Sequence, residues 1–307
     1  MRANADEQDF ARWLLQVGDG VMHDQVDLPD RCIVRDDVVD EIYGERIDPN
    51  DVERLRSSVI LAPTNEACAA INARANERVS GEERIFRSVD HTPETSENRD
   101  LFPVEFVNSL TPSGMPPHVL VLKVGSVVML LRNLDLKRGL CNGVRMIVRG
   151  MHAHALDVEL LTGERAGMRA FIPRIRLIPA TSQTPVEFIR TQFPVNLAFA
   201  MTINKAQGQT FGRVGLSLLQ PVFSHGQLYV ALSRVRSLAS LRVQLNTGTH
   251  TKNVVYPEAL HFQRPRNHEA TTVLRPHIPR AVARRREQDA VGFPLLDEDE
   301  IYDFDDT

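Results

Sequence analysis

The 307 residues contain no Gly-Lys dipeptide, so a phosphate-cradling loop that ends in Gly-Lys-Ser/Thr is not encoded anywhere in them. Cysteine is equally sparse. Cys32, Cys68 and Cys141 are far apart, odd in number and match no metal-ligand spacing. They read as reduced thiols, which suits a nuclear or otherwise cytoplasmic compartment and excludes a disulfide framework. No apolar run approaches the roughly 20 residues that cross a bilayer, so no membrane partner is expected. The first ten residues, MRANADEQDF, are polar and acidic, unlike a secretory leader. The ten histidines form no ligand cluster, and His152 and His154 alternate as on an exposed strand edge, so no metal site is expected. No Ser-His-Asp order or carboxylate pair stands out either.

What is present is a chain long enough for two ordinary domains, 42% apolar and with a formal net charge of −4. That net value hides an asymmetry. Residues 1–60 hold fifteen acids against seven arginines, whereas residues 118–190 hold eleven Lys/Arg against five acids. A basic strip of this kind is either a solvated face or a place for phosphates.

The hydrophobic pattern predicts helices over residues 10–17 and near 34–43, then a buried strand over Ser58–Leu61 ended by Pro63. Thr64-Asn65 reads as the N-cap of a helix running to about Val79. Strand, polar turn and helix in this order build a parallel α/β sheet. Residues 90–117, rich in Pro, Ser and Thr, read as an extended connector. Short strands with Gly turns follow at Val119–Val124, Ser126–Leu131, Val144–Val148, Leu156–Leu161 and Met168–Ile172, which suggests a small β-barrel. The α/β pattern returns with one strand at Val195–Met201, a helix after it, a strand at Val214–Leu218, a helix at Gln227–Val235 and a strand at Leu241–Leu245. The fold class is therefore α/β, with a parallel-sheet domain (57–117 and 185–258) interrupted by a β insert (118–184). Residues 1–56 are helical and acid-rich, and residues 259–307 read as a disordered tail.

Two blocks carry the chemistry. In Met201–Thr210 (MTINKAQGQT), a helix starting at the Gly208 turn would offer free backbone N–H groups to a phosphate, with Gln207 and Gln209 as neutral donors. In Gln227–Val235, Leu228, Ala231, Leu232 and Val235 form a buried helix face, and Arg234 falls off that stripe on one polar side with Gln227. Arg234 can offer a planar fork to a γ-phosphate, or it can be a surface arginine in an ion pair.

MTINKAQGQTF followed by YVALSRVRS resembles the fifth and sixth helicase motifs of the PIF-type DNA helicases (the petite integration frequency family, superfamily one). FARWLLQVGDG, VILAPTNEACAAIN, LRNLDLKRGLCNGVR, FIPRI and NVVYPEAL extend the likeness over about residues 8–260, in the style of the Helitron-like branch. The resemblance is to the family's C-terminal half. It implies that the α/β part is a second RecA-like motor domain and the β-rich part an SH3-like insert of the 2B type. Carried over by motif, Gln207, Gly208, Gln209 and Arg234 would face ATP, with Arg234 as the catalytic arginine finger. Thr64, Asn65, Thr202, Asn204 and Lys205 would contact single-stranded DNA, joined by Arg132, Asn133 and Asn142 of the insert. Asn204 stands where the family commonly has His.

The family's Walker A loop, Walker B Asp-Glu and Gly-Asp-x-x-Gln element have no counterpart here; Val38–Glu41 and Leu295–Glu298 only superficially resemble a Walker B strand. ATP and Mg²⁺ are implied by the family, without Mg²⁺ ligands in this sequence. The expectation is a helicase portion for replication, recombination, repair or Helitron transposition, inactive unless another chain supplies the first motor domain. The alternatives are a non-catalytic single-strand-binding module and a pseudogene fragment.

Overall fold

The computed structural model describes residues 8–22, 24–93, 102–179 and 184–256, together with Glu258. The expected disordered tail lies outside these residues. The chain opens with α1 (Gln8–Gly18), β1 (Gln25–Asp27), β2 (Ile33–Val34), α2 (Val38–Tyr43) and α3 (Val52–Ser57). Residues 34–43 thus divide into a short strand and a helix. The division falls at Asp37, whose carboxylate accepts from the Val39 N–H at 3.0 Å as the N-cap of α2.

Next come β3 (Ser58–Ala62) and α4 (Asn65–Glu77). All five residues of β3 are buried, as expected of a strand covered on both faces. Thr64 caps α4, its hydroxyl accepting from the Ala67 N–H at 3.2 Å. Then follow β4 (Glu83–Arg87), β5 (Val89–His91), α5 (Val104–Ser109), β6 (Val119–Lys123), β7 (Val127–Leu130), β8 (Arg145–Met151), β9 (Ala155–Leu160), β10 (Arg169–Pro173), β11 (Ile175–Leu177), β12 (Ile189–Gln192) and β13 (Val195–Leu197). The described chain closes with β14 (Ala200–Thr202), β15 (Arg213–Leu218), α6 (Gln227–Leu232), β16 (Leu241–Leu245) and β17 (His250–Lys252).

One sheet has the order β14-β3-β15-β16-β2 with every neighbour parallel. Gly215, at its centre, lets α2 lie directly on the sheet. A Cβ there would stand 2.7 Å from Ile42 and 2.8 Å from Val38. The β-rich part is antiparallel and has three sheets, ordered β10-β9-β8-β7-β13, β11-β12-β5 and β4-β6. Residues 83–91 and 189–197, outside the span 118–184, supply four of its strands.

Two expectations need correction. The run Val195–Met201 is not one strand: β13 pairs antiparallel with β7, and β14 pairs parallel with β3. The change of sheet falls at Ala198-Phe199, where the Ala198 N–H donates to Val127 and the Phe199 carbonyl accepts from Ile60. Val195 and Ala198–Met201 are buried on both sides of the switch, so the apolar residues of the run carry no mark of it. The connector 90–117 is also not extended throughout, because it contains α5. Arg190, fully buried, pins the segment by donating to the carbonyls of Leu110 at 2.8 Å, Val107 at 3.1 Å and Pro116 at 3.1 Å. The Asp90 carboxylate, equally buried, meets the same guanidinium at 2.6 Å.

Candidate functional site

Parallel strands in an open sheet place ligands outside their carboxyl ends. Three such ends converge here. Thr202 closes β14, Thr64 follows β3 after Pro63, and Gln220 follows β15. The Thr64 hydroxyl donates to the Gln220 amide oxygen at 3.1 Å, which fixes two of these turns to each other.

Asn65, Thr202 and Lys205 line a groove of about 690 Å³ between α4, β6 and the segment 111–117. Asn65 and Lys205 are exposed and Thr202 is half-buried. Beneath them Asn72 clasps the switch between sheets. Its amide nitrogen donates to Ala200 at 2.9 Å and to Leu197 at 3.1 Å, and its oxygen accepts from the Ala200 N–H at 2.8 Å. Sequence reasoning missed Asn72. The available signal was an asparagine inside a helix, where its propensity is poor and a tertiary partner is needed.

The remaining expected DNA contacts divide. Arg132 is half-buried and donates to the carbonyls of Gly114 at 2.8 Å and Leu131 at 2.9 Å, so it braces one wall of the groove. Asn204 is exposed beside Lys205 but is not part of the groove lining. Asn133 accepts from the Asn142 N–H at 2.8 Å, holding the 131–144 turn. Asn142 opens onto another cleft, of about 530 Å³, which Gln209 also lines.

Gln207, Gly208 and Gln209 stand away from that groove. The turn they form leads back to the amino-terminal edge of the sheet, where Gly212 donates to the Ser57 carbonyl at 2.9 Å. No α-helix follows β14. Ile203–Ala206 make one 3-10 turn, and the N–H groups of Gln207 and Gln209 donate to Asn204 at 3.3 Å and Ala206 at 3.1 Å. The expected set of free helix-start amides is thus replaced by a closed turn. Gly208 is exposed at φ 81° with nothing within 4 Å of where a Cβ would sit, so the backbone is open to close approach.

Arg234 meets the same turn. Its guanidinium donates to the carbonyls of Gln209 at 2.8 Å, Ala206 at 3.3 Å and Val230 at 2.7 Å, and to the Ser233 hydroxyl at 2.8 Å. Burial pulls its pKa down from the usual arginine range, with Tyr229 opposing. The polar side expected to hold both Arg234 and Gln227 is not formed. Helix α6 ends at Leu232, and Gln227 is 2% exposed, its oxygen accepting from the Phe223 N–H at 3.1 Å.

A further cleft, of about 830 Å³, lies at this amino-terminal edge between the end of α3, the turn 161–163, residues 209–212 and residues 236–240. Among the described residues no three His, Cys, Asp or Glu side chains converge as metal ligands, and no helix is long and apolar enough to cross a membrane.

A parallel α/β sheet joined to an antiparallel β-rich part, with polar turns gathered at both sheet edges, is the class of fold that these elements define. Residues 105–151 match the family model described as DNA helicase Pif1, 2B domain. The human ATP-dependent DNA helicase PIF1 is 37% identical over 187 residues, which are 60% of this chain and 26% of that protein. The chain therefore spans about a quarter of the length of these curated relatives. Among solved structures, Pif1 helicase from Candida albicans superposes with a TM-score of 0.56 at 24% identity, over 84% of this chain and 57% of that one. Bacteroides Pif1 in complex with ADP-AlF3 and ssDNA gives 0.54 at 24% identity, over 85% and 53%. In sequence and in fold, this chain is similar to PIF1-type DNA helicases.

Proposed function

We propose that this chain is the arginine-bearing second motor lobe of an ATP-dependent DNA helicase of the PIF1 type, with residues 57–117 and 185–258 as a RecA-like domain and 118–184 at the heart of an SH3-like 2B insert. The observation that carries this reading is the separation of two polar surfaces on one sheet. Thr64, Asn65, Thr202 and Lys205 gather at the carboxyl edge beside one groove, while Gln207–Gln209 and Arg234 gather at the opposite edge. The groove lining sets Lys205 against Glu66, Glu77 and Glu83 and includes no aromatic ring, so a single strand there is held by hydrogen bonds and one cation at its Lys205 end and not by base stacking. Lys205 supplies charge to phosphate, and Thr202 and Asn65 supply hydrogen bonds.

At the other edge, Gly208 permits close backbone approach and the Gln207 side chain is exposed, which fits a terminal phosphate. Bound ATP with Mg²⁺ would supply the transferable phosphoryl group and neutralise part of its charge. The role of this chain is to orient that phosphate through Gln207 and Gln209 and to stabilise charge with arginine. It assists hydrolysis without driving it, and a chain bearing the phosphate loop is its partner, in the nucleus.

A second reading, a non-catalytic single-strand-binding module, is favoured by one observation: four donors of Arg234 are engaged by its own fold. Two measurements on this polypeptide separate the readings. Both expect retention of single-stranded DNA at low salt. Addition of the phosphate-loop lobe restores ATP turnover sensitive to Arg234→Ala only if the motor reading holds. Turnover by this chain alone, abolished by that substitution, contradicts the assisting role.

A further inference from the structure

A nucleic-acid backbone is held chiefly by Lys and Arg contacts to its phosphates, and the carboxyl-edge groove offers one such cation, Lys205, against three acids. Further cations stand where the groove continues across β4. In the pairing of β4 with β6, Glu83, Ile85 and Arg87 lie opposite Lys123, Val121 and Val119. Directly opposed residues share a face, and Glu83, Val121 and Val119 line the groove. Arg87 therefore extends the groove's own face beyond Val119.

That face runs on into the three-stranded sheet. The Ser88 N–H donates to the His118 carbonyl at 2.8 Å, carrying the ladder past Arg87 toward β5. Val89, 67% exposed, lies opposite Thr191 of β12, which in turn lies opposite Arg176 of β11. Arg87, Val89 and His91 alternate outward, whereas Ser88 is buried and the Asp90 side chain pairs with Arg190 beneath. From the spacing of strands and the rise along them, the Cα atoms of Arg87 and Arg176 stand about 12 Å apart. Both arginines are exposed, and among the described residues neither side chain makes a hydrogen bond or an ion pair. Arg174 has a different task. It is half-buried over the Phe193 ring at 4.8 Å and donates to the Arg87 carbonyl at 2.8 Å, so it fixes the backbone that presents Arg87.

We infer that the exposed face of β5, β12 and β11 is a second phosphate-binding surface for the single strand that occupies the groove, with Arg87 and Arg176 as its cations. The strand leaves the groove over Val119 and crosses Val89 between two guanidinium groups, each able to fork two phosphate oxygens. Continuity with the groove selects a nucleic-acid strand as the occupant over an acidic polypeptide. The inference rests on the reading of the groove as a single-strand site, and adds to it the path of the strand over the β-rich part.

The test is fluorescence anisotropy of the full chain with labelled oligothymidylates stepped from about 4 to about 16 nucleotides, each at several salt concentrations. The effect of Arg87→Gln and of Arg176→Gln should grow with length, from none on the shortest strand to a several-fold weakening on the longest. On the longest strand each substitution should lower the log–log salt slope by about 0.7, and lysine at either position should restore that slope. Val89→Glu, which places an anion between two intact arginines, should also weaken the longest strand several-fold. These side chains are exposed, so thermal melting should be unchanged in the variants. Binding unaltered at every length, or weakened equally at every length, overturns the second surface. Displacement of the longest strand by polyglutamate in the parent but not in the arginine variants overturns its assignment to a nucleic acid. Loss of binding in Lys205→Ala with no effect of the arginine variants sinks this inference alone. Weakening by the arginine variants at every length with no effect of Lys205→Ala sinks the groove reading as well.

Discussion

Arg234 donates to the carbonyl of Gln209 at 2.8 Å, tying the residues after α6 to the turn after β14. A guanidinium that also reaches Ala206 and Val230 is a clamp as well as a candidate finger. Arg234→Ala is expected to destabilise the fold by on the order of 1–3 kcal/mol, the range for losing hydrogen bonds to a charged group. Arg234→Lys, with charge but no planar fork, should recover only part of this. Urea denaturation of the three proteins checks both statements; equal midpoints would remove the clamp.

Asp90 and Arg190 form an ion pair with both side chains at 0% exposure, and the same arginine holds the carbonyls of the segment after α5. Breaking such a pair leaves a buried charge, so Asp90→Asn should cost about 3–5 kcal/mol. Arg190→Gln should in addition free the segment 104–117. Limited proteolysis then cuts there before the rest of the chain unfolds, a cut absent from the parent protein.

Asp37, the N-cap of α2, links stability to pH. Partial burial raises its pKa, but the Val39 N–H together with Arg78 and Arg74 outweighs that and leaves it below the ordinary value. A depressed folded-state pKa adds stability that is present above the unfolded value and is lost as pH falls through the folded one. Asp37→Asn keeps an N-cap oxygen and loses the charge, so its stability should fall less steeply than the parent's below about pH 4. Parallel acid limbs in thermal melts would show that Asp37 carries no such linkage.

The three thiols should separate by reactivity. Burial pushes Cys68 up to about 12 and Cys32 up to about 11, leaving almost no thiolate at neutral pH, whereas Cys141 is half-exposed. Iodoacetamide on the folded protein should therefore label Cys141 first, and all three only after denaturation. Mass spectrometry of tryptic peptides reads the order directly.

The elements whose pattern was unambiguous were legible in the sequence. β3, α4, β15 and β16 lie within a residue or two of their expected bounds, because each is a single run with one cap or one breaker, such as Pro63 before Thr64. The Val195–Met201 run hid a change of sheet, since an apolar residue at Phe199 is demanded by either partner. The connector's helix α5 depends on Arg190, about eighty residues away, and no local rule reports such an anchor. The candidate site divided in the same way. Thr202 ends a strand and Asn65 and Lys205 lie just past strand ends, so they meet at one edge, as the topology dictates. The engagement of Arg234, the burial of Gln227 and the clasp of Asn72 depend on side-chain contacts between separate segments, which spacing cannot display.

The most direct measurement is the salt dependence of fluorescence anisotropy with labelled oligothymidylate, for the parent chain and Lys205→Ala. A strand held by its phosphates in the carboxyl-edge groove predicts binding that weakens steeply with salt. Removing Lys205 should weaken it several-fold at low salt and reduce the log–log slope by about 0.7, as expected for one lost phosphate contact on a single strand. No binding at low salt, or an unchanged slope in the variant, would contradict the account.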